Sequence, residues 1–305
     1  MPDPAPLFGA IEAGGTKFVC AVGRGPDAIL AEARFATRGP AETLAEVVAF
    51  FEAARAAHGA LAALGVGAFG PLELDPAAPA FGCLGPTPKP GWAGADMVAP
   101  LRAALGCPVG LQTDVAAAGL GEGRWGAARE AGGAFAYVTV GTGVGGALFV
   151  AGEPVGGLAH PELGHIWPRR HPGDDYPGCC PFHGDCLEGL ASGPAIVGRR
   201  GTTLDRLAPD DPLWEALGSY MGQLVATLLL THAPRLVVVG GGVGSHPRLL
   251  SLARDEALRW LGGYMRPATL PAELGWRLVP PALEGRAGVL GGFVLAERAL
   301  GRAAP

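Results

Sequence analysis

Residues 7–22 read LFGAIEAGGTKFVCAV and residues 135–150 read FAYVTVGTGVGGALFV. Each is an apolar run, a turn of glycine and threonine, and a second apolar run, which predicts two β-hairpins of one design. Each hairpin is followed by alternating helical and extended patterns. After the first come a helix over residues 43–58 with Leu44, Val47, Val48, Phe51 and Ala54 on one face, and a strand over 62–69 ending in Gly70-Pro71. A Gly- and Pro-rich loop over 81–92, a short helix over 97–105 and a strand over 109–112 complete this half. After the second hairpin come an apolar helix over 219–232, a strand over 236–239 ending in Gly240-Gly241-Gly242, and helices over 247–261 and 288–300. A unit that occurs twice predicts two α/β domains of related design around one cleft, with the boundary near residues 115–125, just after Asp114.

The turns suggest chemistry. Gly14, Gly15 and Thr16, and again Thr142 and Gly143, expose backbone N–H groups that can form an anion nest, with the threonine hydroxyls as further donors. Lys17 adds a positive charge. A single turn of this kind is more often only a hairpin turn; two of them facing one cleft can grip the phosphates of a nucleotide. Residues 141–146 also fit GxGxxG, but a strand pattern follows where a dinucleotide site needs a helix, and no Walker A sequence is present. Gly241 and Gly242 follow a strand and precede a helix, which suits either contact with an adenosine or close backbone packing. Asp114 falls between a strand end and a helix start. It is either an N-cap or a base in the cleft.

Residues 164–188 read GHIWPRRHPGDDYPGCCPFHGDCLE. Cys180, His183 and Cys186 are spaced by three, and His165 lies upstream. Three such donors on a tight loop and a fourth from a neighbouring segment match a closed tetrahedral zinc site. Cys179 is left over as a neighbour, since a bridge between adjacent cysteines is strained. Glu162 and Glu188 flank the loop and are either solvated carboxylates or acceptors for the hydroxyls of a polar substrate.

Composition narrows the classes. The chain has 305 residues, 49% hydrophobic and 17% charged, with a net charge of −5. That is ample for two cored domains and provides no electrostatic footprint for nucleic acid or an anionic membrane. A zinc knuckle on nucleic acid is disfavoured by the same balance. The longest apolar run, 224–230, is far short of a membrane span, and the first residues lack a signal-peptide pattern, so a reducing cytoplasm is expected.

Taken together, IEAGGTK, FGP, TDVAAA, VTVGTGVGG, HPELGH, CPFHGDCLEGLASGP and VVVGGGV resemble the ROK family of bacterial sugar kinases, with an actin/hexokinase-like (ribonuclease H-like) two-domain fold. Glu12 in the first turn, TPKPGW at 87–92 and the CPFHGDC loop resemble its fructokinases. The resemblance implies a small domain of residues 1–118 joined by a C-terminal helix, 287–305, and a larger domain of 119–286. It implies Asp114 as general base, and Gly14, Gly15, Thr16, Lys17, Thr142 and Gly143 around the phosphates of Mg²⁺-bound ATP. Gly241 and Gly242 would lie near the adenosine, and Gly70, Glu162, His165 and Glu188 near the sugar, with His165 also on zinc. A homodimer is implied as well. The expected activity is phosphorylation of fructose; glucose, mannose or an N-acetylhexosamine are the alternative acceptors, and a non-catalytic sugar sensor the alternative class. Two departures stand out: Glu12 replaces the family's usual aspartate, and Ala116 replaces an asparagine two residues beyond the base.

Overall fold

The computed structural model describes residues 5–265 and 277–303. They form two compact units. The first takes the chain up to Gly126, then Gly156–His160, and again from Leu283 on; the second takes Ala127–Val155 and Pro161–Ala282.

The first unit is built on a five-stranded sheet of β1 (Phe8–Ala13), β2 (Lys17–Gly23), β3 (Ile29–Ala36), β4 (Ala63–Ala68) and β5 (Val109–Thr113), in the order β3-β2-β1-β4-β5. The β1–β2–β3 meander is antiparallel, while β4 and β5 add in parallel. β4, ALGVGA, is buried along its whole length, as a strand covered on both faces must be. One face packs Leu7, Ile11 and Ala13 against α1 (Pro40–His58) and α2 (Ala99–Leu105), through Val47, Phe51 and Leu101. The other face turns Phe8 and Ala10 toward the final helix, α8 (Ala287–Ala303), through Leu290 and Phe293. Alternation along β1 therefore places Glu12 on the α8 face. Helix and sheet touch backbone to backbone: a Cβ on Gly65 would lie 1.9 Å from the Gly292 carbonyl oxygen.

The second unit repeats the plan. β6 (Phe135–Val140), β7 (Val144–Val150) and β8 (Glu153–Pro154) form an antiparallel meander, and β9 (Leu236–Gly240) and β10 (Leu278–Val279) add in parallel, in the order β10-β9-β6-β7-β8. α6 (Leu213–His232) and α7 (Pro247–Leu261) pack as a pair and supply much of the core, with Tyr220, Leu224 and Leu228 against Val237, Val239, Leu249 and Ala257. α4 (Leu187–Ala191) and α5 (Gly193–Arg200) follow the cysteine-rich loop.

Several elements depart from the sequence expectation. β3, α4 and α5 are additional, and α6 starts at Leu213 rather than 219. The division between units runs after Gly126, not between 118 and 119, which would cut α3 (Asp114–Trp125). The whole of α3 lies on α8, close enough that a Cβ on Gly291 would meet the Ala117 carbonyl oxygen at 1.7 Å. The last expected positions of the closing helix, 304–305, lie outside the described residues, as does part of the expected 119–286 domain.

Candidate active site

In the first unit, β1, β4 and β5 run parallel in register, with Ala13 beside Ala68 and Ala68 beside Thr113. Their carboxyl ends therefore deliver three segments to one edge of the sheet: the Gly14–Lys17 turn, Gly70 and Asp114. This is the edge at which open α/β sheets bind ligands. The turn is closed by the Gly14 N–H donating to the Lys17 carbonyl at 3.0 Å, and Thr37 holds it from behind, its hydroxyl on the Gly14 carbonyl at 2.7 Å and its N–H on that of Thr16 at 2.9 Å. Gly15, Thr16 and Lys17 are left exposed.

Asp114 is the first residue of α3 and is not its cap. Thr113 is, its hydroxyl oxygen accepting the Ala116 N–H at 3.1 Å. Asp114 Oδ1 accepts the adjacent Val115 N–H at 2.8 Å, which orients a half-buried carboxylate at a helix N-terminus, where negative charge is favoured. Glu12 is its electrostatic neighbour. Burial raises the Glu12 pKa above 4.5 and the Asp114 charge raises it further, against Lys17, an N–H from Val289 and Arg34. The carboxylate of Glu12 thus rests on the first turn of α8, in space that exists because residue 288 is glycine: a Cβ there would lie 2.5 Å from its Cδ.

Gly70 begins the turn after β4, and its peptide bond to Pro71 is cis. The ring of His160 lies against it, and His160 Nε2 accepts the Leu72 N–H at 3.1 Å. His160 belongs to the HPELGH motif but carried no role in the sequence reading.

The second unit repeats the arrangement at the carboxyl ends of β6 and β9, where Thr139 lies beside Gly240. The Gly141–Gly143 turn is closed by the Gly141 N–H on the Gly143 carbonyl at 2.9 Å. The Gly241–Gly244 segment folds onto the end of β6, with the Val243 and Gly244 N–H groups sharing the Val140 carbonyl at 2.9 and 3.0 Å. Gly241 has φ +83, and a Cβ there would meet that same carbonyl at 2.3 Å, so glycine is required twice over. Thr142 and Gly242 are exposed, a Cβ on Gly141 would lie 4.0 Å from the Gly242 nitrogen, and the Gly193 N–H donates to the Gly141 carbonyl at 2.7 Å. The result is a glycine-lined surface of backbone that an anionic or planar ligand can approach closely.

Glu188, in the first turn of α4, accepts the Val144 N–H at 3.0 Å and closes against Gly143. Glu162 sits nearby on the chain leading into the short turn Leu163–His165. Desolvation raises its pKa and the Glu188 charge adds to this, while His165 pulls it down. Two carboxylates and an imidazole are thus electrostatically coupled beside the glycine turn.

The donors of His165, Cys180, His183 and Cys186 all lie within 4.8 Å of one another. His165 Nδ1 is 3.5 Å from Cys186 Sγ and 3.8 Å from Cys180 Sγ, which is 3.8 Å from His183 Nδ1. A tetrahedron with metal–S of about 2.3 Å and metal–N of about 2.0 Å has S···N edges of about 3.5 Å, so the cluster has the size of a four-coordinate metal site. The loop is clamped by a reciprocal pair of backbone bonds between Cys180 and Gly184. In the absence of a cation, burial pushes the Cys186 thiol up to about 11, with Cys180 adding to the rise and the N–H groups of Gly189 and Glu188 opposing it; a bound cation would reverse that balance. Cys179 is exposed and outside the cluster.

The chain is similar along nearly its whole length to known proteins. A curated fructokinase of Zymomonas mobilis is 40% identical over 300 residues, 97% of this chain and 98% of that one. The structure of a ROK hexokinase from Thermus thermophilus aligns with a TM-score of 0.78 at 26% identity, over 97% of this chain and 100% of that one. A ROK glucokinase from Streptomyces griseus, in complex with glucose and AMPPNP, aligns at 0.70 and 26%, over 96% and 99%. Residues 8–299 match the family model described as ROK family, and the chain, with its twice-built sheet and glycine turns, belongs to the ROK family.

Proposed function

We propose that this protein is an ATP-dependent hexose kinase and, within that class, a fructokinase. The observation that carries the sugar is the 40% identity to a fructokinase along nearly the whole chain, against 26% to a hexokinase and a glucokinase of the same family. The phosphotransfer reading is supported by glycine turns at the carboxyl ends of both sheets and by a carboxylate at position 114 whose neighbour, not itself, caps the helix.

In this reading Asp114 orients the acceptor hydroxyl of the sugar and takes its proton late, as a loose phosphoryl-transfer transition state requires. Gly14, Gly15, Thr16 and Lys17, with Thr142 and Gly143, donate to the phosphates, and Gly241 and Gly242 admit the adenosine. Mg²⁺ enters with ATP and offsets phosphate charge; since Glu12 rests on the Val289 N–H, we assign the ion no ligand from this chain. Gly70, Glu162, His165 and Glu188 meet the sugar hydroxyls. Zinc on His165, Cys180, His183 and Cys186 serves structure: both histidines present Nδ1 to the cluster, which leaves Nε2 of His165 for a hydroxyl. We infer a homodimer from the family resemblance and a cytoplasmic location from the sequence pattern; no helix among the described residues is long and apolar enough to cross a membrane.

Steady-state rates with a panel of hexoses at fixed ATP and Mg²⁺ test the proposal. Fructose should have the highest kcat/KM, by tenfold or more over glucose, since a site paired to particular hydroxyls leaves a buried polar group unmatched with the wrong sugar. Equal or better use of glucose or mannose overturns fructose alone; no ATP consumption with any hexose overturns the kinase.

A further inference from the structure

The turn that carries Gly70 is held at three points. The Phe69 N–H donates to the Ala13 carbonyl at 2.8 Å, which ties the turn to the end of β1. The Gly85 N–H donates to the Pro71 carbonyl at 2.8 Å. The third is the Leu72 N–H, donated to His160 Nε2 at 3.1 Å. The first two are backbone bonds that any sequence with this fold can make; the third needs an imidazole from a residue 88 positions away. The same ring packs on Gly70, where an added Cβ would stand 3.3 Å from His160 Cε1 and 3.4 Å from Nε2. Leu72 is only 6% exposed with the ring in place, and a donor that loses its acceptor costs free energy until the local backbone moves or water replaces the ring. Because Nε2 accepts, the ring proton resides on Nδ1.

We propose that His160 is a positioning residue for the acceptor sugar: by holding the Gly70–Leu72 turn it sets the sugar subsite, with no contact to the nucleotide. This rests on the hexose-kinase reading. It also connects sequence to site, since His160 stands two residues before Glu162, so one short stretch shapes the turn carrying Gly70 and then supplies a carboxylate.

The test is the kinetics of His160→Ala, His160→Gln and His160→Asn. A glutamine places an amide oxygen near the position of Nε2, whereas an asparagine places its polar atoms near Nδ1. We expect sugar KM to rise roughly tenfold in His160→Ala, the scale of one hydrogen bond, with ATP KM within about twofold and kcat changed less than sugar KM. His160→Gln should recover most of the loss and His160→Asn should not; that pair decides the matter if the alanine variant does not fold. An active wild type whose His160→Ala variant keeps its sugar KM overturns this proposal alone. Parallel rises in sugar and ATP KM with a lowered Tm, or equal behaviour of the Gln and Asn variants, also overturn it in favour of a purely structural role. A wild type inactive on every hexose removes the kinase reading and this proposal with it.

Discussion

Glu188 Oε2 accepts the backbone N–H of Val144 at 3.0 Å, so the helix that follows the cysteine-rich loop is fastened directly to the second glycine turn. Val144 is buried, and its N–H depends on that carboxylate. Glu188→Ala should therefore destabilise the protein by about 1–3 kcal/mol, the cost of an unmatched buried donor, and lower kcat/KM at least tenfold by loosening the turn. Glu188→Gln keeps an acceptor and should retain most of the stability while losing the charge beside Glu162. Urea midpoints of the two variants separate the roles; an alanine variant as stable as wild type would refute the anchoring.

Asp114 and Thr113 are adjacent but should fail differently. Asp114→Asn should fold normally and lose a factor of about 10²–10⁴ in kcat, because an amide cannot accept the hydroxyl proton. Thr113→Ala removes the cap on Ala116 and should cost about 1 kcal/mol of stability with a much smaller loss of rate. Single-turnover rates beside thermal melts check both, and near-normal turnover in Asp114→Asn would count against its role as base.

The purified protein should contain one zinc per chain. Elemental analysis should find it lost in Cys180→Ser and retained in Cys179→Ser, since only the former thiol lies in the donor cluster. Loss of the ion should also weaken sugar binding, because His165 would no longer be fixed. A Cys180→Ser variant that keeps stoichiometric zinc would contradict the ligand set.

Much of the architecture was legible because it rests on short-range pattern. The two hairpins show as paired apolar runs around glycine, and β4 and β9 as apolar stretches that run into glycine. The spacing of Cys180, His183 and Cys186 is local as well, and so reads directly as a donor set. What was not legible depends on long-range contacts or weak local signals. β3, ILAEARFA, alternates half-buried and exposed positions, but alanine fills two of its inward positions and Leu30 lies on the exposed face, so its hydrophobic period is faint. α3 was legible as the helical run VAAAGLGEG at 115–123, whereas the close seating of Gly121 and Gly291 against backbone across the α3–α8 contact was not. His160 looks like any loop histidine until the turn at Leu72 is placed beside it. Asp114 is the intermediate case: its place between strand and helix was legible, but only coordinates show that Thr113 makes the cap.

A fourth outcome concerns acid stability. Asp174 is nearly buried in the second unit, 2.8 Å from Arg199 Nη2, with the Tyr220 hydroxyl donating to it at 2.5 Å. Burial opposes its charge, but Arg199 and Tyr220 together outweigh burial and hold its pKa below 3.8. A carboxylate depressed by folding contributes stability above its unfolded pKa and loses it as pH falls through the folded value. Asp174→Asn should thus cost about 3 kcal/mol at neutral pH, the scale of breaking a buried ion pair, and the gap to wild type should narrow as pH falls below 3.8. Urea unfolding of both proteins across that range measures it; a gap independent of pH would show that the charge contributes nothing.

The seat of α8 on the first sheet has a consequence for how the protein is made. The groove lined by Ala10, Gly65 and Gly110 is synthesised early, but the helix that fills it begins at Ala287. At about 5–20 residues per second, a ribosome takes roughly 8–30 s to travel from Gly126 to that helix. Throughout that interval the nascent first unit presents a half-covered sheet, while the segments of the second unit emerge after it. The order of completion is therefore the reverse of the order of synthesis: the second unit can close first, and the first must wait until α8 has been made. A chaperone that shields apolar sheet faces on nascent chains would find its natural client in the amino-terminal half of this enzyme.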